Sequence, residues 1–343
     1  MAKIRNRVAW RTMLGAAAVM LALAGTQPIV PAAHAAPYVM KFGIATINES
    51  QHEFLKMYKT ALEKASGGRI EVQIFPNSEL GAIPREIEGV QFNSIQAFMG
   101  PVDFFVGIDP RYGVFSAPML FRDDANTIAT IHDPALEKKM LNIAEGKGLV
   151  GIATLDVGAS NYGAKDAILR LSDFRGKKLR INGTALERAK MSLLGATGVA
   201  MPLSEVVPAL DQGVIDGTIS ATSIFVSFKM INLVKVVTVT NDTMIISIAM
   251  VSKRWLDGLP PDLRQMVIDT GRTVQSKAQR WEVQFAANLD KKWAAMGGEI
   301  HKLPPEDLAK MKTLLTPVGD EVTKSQPALH AMLQEVRAVA AKH

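Results

Sequence analysis

Apolar and polar positions along this chain change period several times, and each change marks an element. Val39-Met40-Lys41-Phe42-Gly43-Ile44-Ala45 reads as a strand. Phe54, Leu55, Tyr58, Ala61, Leu62 and Ala65 then recur at spacings of three and four, the period of one buried helical face, until Gly67-Gly68 ends the helix. Ile70, Val72 and Ile74 alternate with Arg69, Glu71 and Gln73, so one face of a strand is buried, and Pro76 closes it. Strand, helix, strand in this order implies a right-handed crossover in a parallel sheet. The unit recurs: a helix over 84–93 leads to a short apolar run at 95–99, and a helix over 125–145 leads to the run 149–155.

A second set begins near Leu171-Ser172-Asp173. Residues 178–181 read as a strand, 184–194 as a helix with Thr184 as N-cap, 204–212 as a short helix and 214–220 as a further run. The runs 234–240 and 244–251 are β-branched and bulky, with only Asn241-Asp242-Thr243 between them. They form either a tight turn or one strand passing from one domain to the other. After Pro260-Pro261, the span 262–295 contains no proline and one glycine, Gly271. Leu263, Met266, Val267, Val274, Trp281, Phe285, Leu289 and Trp293 make an apolar stripe along it. A helix of about 30 residues exceeds the usual three to four turns and must lie across more than one unit. Spans 309–314 and 328–339 read as terminal helices. The architecture expected is two α/β lobes, with small ligands bound beyond the carboxyl ends of strands and between the lobes.

Composition changes the picture mainly at the ends. The 343 residues, 48% hydrophobic and 21% charged, suit an ordinary globular protein of roughly two domains. Lys3, Arg5, Arg7 and Arg11 precede any acidic residue, the stretch 13–24 is wholly apolar or glycine, and Ala33-His34-Ala35 follows. These are the parts of a secretory signal peptide over 1–35, too short in its apolar core to be a membrane anchor. Its removal takes four of the 39 basic residues and none of the 33 acidic ones, leaving a charge near +2. The basic pI of about 9.4 is therefore no sign of a nucleic-acid partner. With no cysteine, thiol nucleophiles, Cys-zinc sites, iron–sulfur clusters and disulfides are all excluded. The histidines that remain, His52, His132, His301, His330 and His343, show no metal-ligand spacing. Asp123-Asp124 reads as helix-start capping, and no hydrolase, phosphate-loop or dinucleotide motif occurs. No catalytic residue, cofactor or metal is expected.

Arg180 differs in kind, because it interrupts the apolar run Leu179-Arg180-Ile181. It is either an exposed strand arginine or a guanidinium at a strand's carboxyl end, able to hold a carboxylate by two parallel charge-assisted bonds.

A set of motifs bears on the choice. They are Gly68-Arg69-Ile70 leading to Phe75-Pro76-Asn77-Ser78-Glu79-Leu80-Gly81, and the stretch Leu171-Ser172-Asp173-Phe174-Arg175-Gly176-Lys177-Lys178-Leu179-Arg180. Leu194-Gly195-Ala196, Ser204-Glu205-Val206, Ala209-Leu210-Asp211-Gln212-Gly213-Val214-Ile215-Asp216-Gly217 and Trp255-Leu256-Asp257-Gly258-Leu259-Pro260 follow. In this order and spacing the chain closely resembles the DctP-type periplasmic solute-binding proteins of tripartite ATP-independent periplasmic (TRAP) transporters, over essentially its whole mature length. The resemblance implies a periplasmic binding protein of two α/β lobes with mixed sheets, hinge strands and a long bracing helix. Lobe I would comprise 36–157 plus about 246–285, and lobe II 158–245 plus about 286–340. It implies closure on a small organic carboxylate, which is handed to a small and a large membrane permease subunit. It also places the family's carboxylate-binding arginine on Arg180.

Departures from the family pattern bear on the ligand. Where many members carry a second arginine, this chain has Ser160; where many carry an asparagine after the Asp-Gly pair, it has Ser220 or Ala221. An acidic pocket residue near the Met99-Gly100 turn is absent, and a proline-rich stretch becomes Thr197-Gly198-Val199-Ala200-Met201-Pro202. Each change removes a charge or a hydrogen-bonding group, so the expected ligand is a monocarboxylate with a less polar body. The ligand-binding set expected is Arg180, Ser160, Asn161, Tyr162, Asn182, Gly183, Met201, Ser220, Phe225 and Gly100. Phe104, Phe105, Phe225 and Tyr162 are either cleft walls or core. Asn161, Asn182 or Lys165 could replace lost polarity, and Lys165 could restore a second cation. A sensory binding protein presenting its ligand to a receptor, or an exported enzyme using the same cleft, are the alternatives.

Overall fold

The computed structural model describes residues 38–343, so the signal peptide expected over 1–35 lies outside the described residues. Its first five strands are β1 (Tyr38–Ile44), β2 (Ile70–Phe75), β3 (Ala97–Pro101), β4 (Leu149–Ala159) and β5 (Asn161–Ala164). Then come β6 (Lys178–Ile181), β7 (Thr197–Ala200), β8 (Gly217–Ser220), β9 (Val236–Val239), β10 (Met244–Ser252) and β11 (Glu299–Lys302). They form two sheets, of order β2-β1-β3-β10-β4 and β11-β9-β5-β8-β6-β7. β1 is parallel to β2 and β3, as the crossover pattern predicts, and β10 enters antiparallel between β3 and β4. Helices flank both sheets, which makes the molecule a mixed α/β fold of two lobes.

The first sheet shows how pattern becomes packing. Helix Ser50–Ala65 buries Phe54, Leu55, Tyr58 and Leu62 against Met40, Phe42 and Ile44 of β1 and Ile70 and Val72 of β2. Glu49 starts the helix by accepting from the backbone N–H groups of Gln51 and His52 at 3.0 Å each. The helix expected over 125–145 is instead two, Asp124–Ile131 and Pro134–Asn142. Proline at 134 lacks the N–H that a continuous helix requires, and Asp133 caps the second helix through Ala135 and Leu136.

The long helix runs over Pro261–Ala286, breaks at 287–288 and resumes over Leu289–Ala295. Its stripe does serve two cores. Leu263, Val267 and Val274 belong to the cluster beneath the first sheet, whereas Trp293 belongs to the other, with Phe225 at 6.2 Å between ring centroids. Trp281 and Phe285 leave the stripe and stack on each other, half-buried, at 4.6 Å. Gly271 permits the close approach to β4: a Cβ there would meet the Ile152 carbonyl oxygen at 2.5 Å. Gln275 and Gln279 then hydrogen-bond the free edge of β4, accepting from the N–H groups of Thr154 (2.7 Å) and Asp156 (2.9 Å). A sheet edge that would otherwise leave backbone groups unpaired is thereby closed.

Of the chain's three passages between the sheets, two run side by side. β4 leads through Ser160 into β5, and β9 leads through 240–243 into β10, so the runs 234–240 and 244–251 are a crossing between sheets and not a hairpin. The two crossings are tied by the Ser160 N–H donating to the Thr243 carbonyl at 2.8 Å. Asp242 is wholly buried there, paired with Lys190 at 2.8 Å, and accepts from Tyr162 (3.2 Å), Thr240 and Thr243.

Candidate functional site

Between the two sheets lies a cleft with about 520 Å³ of space among its lining atoms, mouth included. Segments that follow strands build it. β1 delivers Ala45 and Thr46, β3 delivers Met99, Gly100, Pro101 and then Phe104, and β4 delivers Val157 and Ser160. From the second sheet come Arg180 and Asn182 at the end of β6, and Ile219 and Ser220 at the end of β8. The helices add Gln51, Ile83, Leu203 and Ile224. Most of the lining is apolar, and among the described residues Arg180 is the only charged one in it.

Arg180 is 3% exposed. Its Nε donates to the Met201 carbonyl at 3.0 Å and one terminal nitrogen approaches the Ile219 carbonyl at 3.5 Å. The Phe104 ring lies 5.9 Å from the guanidinium carbon. Among the described residues no carboxylate is in salt-bridge contact with Arg180, so donors remain that no protein group fills. Burial pulls its pKa down to about 10, opposed by the charges of Glu187 and Asp103, and it stays cationic at neutral pH. A buried cation held by carbonyls on one side and open to a cleft on the other is arranged to receive an anion.

The structure brings together Arg180, Ser160, Asn182, Ser220 and Gly100 of the expected set, and places the other five outside the lining. Tyr162 is core: its ring meets Phe174 edge-on at 4.8 Å and its hydroxyl donates to Asp242. Phe225 is core also, fully buried against Trp293. Asn161 is tied by its amide to Thr222 Oγ1 at 2.9 Å, with its side-chain oxygen buried and unpartnered. Gly183, with φ +116°, donates to Glu187 Oε2 at 2.8 Å as part of the cap of helix Ala185–Leu193. Met201 offers its carbonyl to Arg180. Lys165 is exposed at the far end of β5 beside the Asp211 carbonyl, so it restores no second cation to the cleft. Of the remaining aromatic candidates, Phe104 is a wall and Phe105 is core, between Phe98 and Tyr112.

An acidic group does stand just beyond β3, though it is not among the residues that line the cleft. Asp103, half-buried, accepts from Asn182 Nδ2 at 2.8 Å and from the Ser116 hydroxyl. Desolvation and the Glu187 charge raise its pKa to about 7, against the hydrogen bonds from Ser116 and Asn182 and the charge of Lys190. Thr46 and Gln51 were also missed, since a loop residue and a polar residue in the first turn of a helix stand outside the apolar period. Gln51 is fixed there by the Ser247 hydroxyl, which donates to it at 2.9 Å. Among the described residues no group of three or more His, Asp or Glu side chains could hold a metal, and no helix is long and apolar enough to cross a membrane.

Two crossings between two mixed sheets, with a cleft between them that ends on a buried cation, define a class of two-lobed binding protein, and the comparisons specify it. The chain belongs to the DctP family: residues 43–326 match the model of bacterial extracellular solute-binding protein, family 7. It is 30% identical over 324 residues to the C4-dicarboxylate-binding periplasmic protein DctP of Rhodobacter capsulatus, covering 91% of this chain and 92% of that one. Its fold matches a TRAP periplasmic solute-binding protein from Xanthobacter autotrophicus Py2 with bound β-D-galacturonate, at TM-score 0.81 and 25% identity, covering 87% and 99% of the two chains. It also matches one from Desulfovibrio salexigens with bound orotic acid, at TM-score 0.83 and 21% identity, covering 89% and 99%. These relatives are described as binding proteins of the periplasm.

Proposed function

We propose that this protein is the exported solute-binding subunit of a TRAP transporter that captures an organic acid in the inter-sheet cleft and delivers it to membrane permease subunits. The observation that carries this reading is Arg180, a buried guanidinium with unfilled donors at the end of an otherwise uncharged cleft. The relatives from R. capsulatus and X. autotrophicus, described as binding a C4-dicarboxylate and a galacturonate, agree with a carboxylate as the common feature. We take 36–157 with about 246–285 as one lobe and 158–245 with about 286–340 as the other, closing on the ligand as a hinged pair.

The finer reading is a monocarboxylate with a less polar body. Ser160 and Ser220 supply hydroxyls where a second cation or an amide would serve a second polar ligand group, and Ile83, Phe104, Val157, Leu203 and Ile224 supply apolar walls. A polar ligand group placed against those walls would lose its water without replacement. A thermal-shift screen of the ligand-stripped mature protein tests both levels, because a ligand that binds only the folded state raises Tm. Selective shifts by aliphatic or aromatic monocarboxylates are expected. Shifts by dicarboxylates or sugar acids alone would overturn the finer reading, and shifts by neutral solutes alone would overturn the acid reading.

A further inference from the structure

The segment after β3 reaches the end of β6 twice. Asp103 binds Asn182 at 2.8 Å, and the adjacent Phe104 places its ring 5.9 Å from the Arg180 guanidinium carbon. Asn182 stands two residues beyond Arg180, and both line the cleft. A carboxylate from one sheet is thus held beside the only charged residue of the cleft lining, without forming a salt bridge to it.

We propose that Asp103 is a specificity-determining residue of the cleft: bridged to Asn182, it sets a negative charge near Arg180 that admits one ligand carboxylate and disfavours a second. This rests on the reading of the cleft as an organic-acid site. A monoanion places its one carboxylate on Arg180 and brings no second charge into the cleft. A dianion must place its second carboxylate in a cleft whose lining holds no other cation, near Asp103 and Glu187. Lys190 cannot answer that charge, being wholly buried and paired with Asp242. The hydrogen bond also ties the two sheets together, so Asn182 positions while Asp103 both positions and discriminates.

The groups facing Asp103 are the Ser116 hydroxyl, the Asn182 amide, the anion Glu187 and the cations Lys190 and Arg180. Desolvation first, then Glu187, raises its pKa to about 7, so it is protonated below that pH and charged above it. Discrimination against a second carboxylate therefore strengthens as pH rises through about 7.

The test uses matched probes that differ only in one charge: succinate against monomethyl succinate, and glutarate against monomethyl glutarate. Calorimetric titration of the stripped mature protein at pH 8 is expected to show each half-ester binding about tenfold or more tighter than its diacid. Asp103→Asn keeps an acceptor for Asn182 and removes the charge, so it is expected to reduce that ratio several-fold. Asn182→Ala is expected to weaken both members of a pair alike and leave the ratio standing. In the wild type the ratio narrows at pH 6.5. A diacid that binds the wild type as tightly as its half-ester, a ratio unmoved by Asp103→Asn, or no half-ester binding at all would each overturn the proposal. Arg180→Ala separates the two readings. If it abolishes binding while Asp103→Asn leaves the ratio unchanged, only the role of Asp103 fails; if binding survives it, the cleft reading fails first.

Discussion

Lys190 and Asp242 form an ion pair in which both side chains are wholly excluded from solvent, at 2.8 Å, where the chain crosses from β9 into β10. Removing either partner strands the other, and a stranded buried charge costs about 3–5 kcal/mol. The two halves of the pair are unequally supported. After Lys190→Met, Asp242 would still accept from the hydroxyls of Tyr162, Thr240 and Thr243. After Asp242→Asn, Lys190 would keep the Thr243 hydroxyl at 2.9 Å and the face of the Tyr162 ring at 5.5 Å, neither of them an anion. Lys190→Met is therefore expected near the low end, about 3 kcal/mol, and Asp242→Asn near the high end, about 5 kcal/mol. The double variant should cost less than the two single costs combined, because it leaves no orphaned charge. Urea unfolding of the ligand-free mature protein at pH 7, with slopes compared to confirm an unchanged transition, measures all three. If Asp242→Asn costs no more than Lys190→Met, or if both cost under about 1 kcal/mol, the crossing is not held by this pair.

Three further expectations follow from groups elsewhere. Burial raises the carboxyls of Glu86 and Glu282 to about 8, so the folded state holds their protons more tightly than the unfolded chain does. Their contribution is complete below the ordinary carboxylate pKa and is lost progressively from there up to about 8; Tm should fall between about pH 5 and 8 and level off above it, and Glu86→Gln should flatten part of that fall. A Tm unchanged across the window contradicts this. Gly271→Ala should destabilise by about 2–3 kcal/mol, since its Cβ would meet backbone of β4, and unchanged urea midpoints would remove the close approach from the account. Lys165→Ala should leave acid affinity within about twofold, because its exposed ammonium is distant from the cleft lining; a larger loss in calorimetry would restore it as the second cation.

Much of the fold was legible because the elements that carry it have clear periods. β2 alternates, helix Ser50–Ala65 repeats at three and four, and β6 and the N-cap Thr184 lie where the sequence places them. β5 was not legible: its four residues, Asn161-Tyr162-Gly163-Ala164, have no alternation, and what holds them is pairing to β8 and β9 on either side. β7 and β11 are likewise four residues long and without a buried alternating face. The cleft divides in the same way. Arg180 stands out locally as a charge in an apolar run, whereas Asp103 acquires its meaning from Asn182, 79 residues on. Tyr162 and Phe225 illustrate the converse error. An aromatic near a motif is indistinguishable in sequence from one in the core, and both belong to the core.

The central claim is that the Arg180 guanidinium receives the carboxylate of an organic acid, and replacing it by an uncharged side chain of similar length tests this most directly. Arg180→Met and the wild type, both stripped of ligand, would be titrated calorimetrically with the acid that gives the largest thermal shift. Loss of a doubly hydrogen-bonded charge pair in a desolvated cleft should weaken binding by about a hundredfold or more. The ligand-free Tm should stay level or rise, since a buried cation without a carboxylate partner has been removed. Affinity retained within about threefold, with the fold intact, would contradict the account.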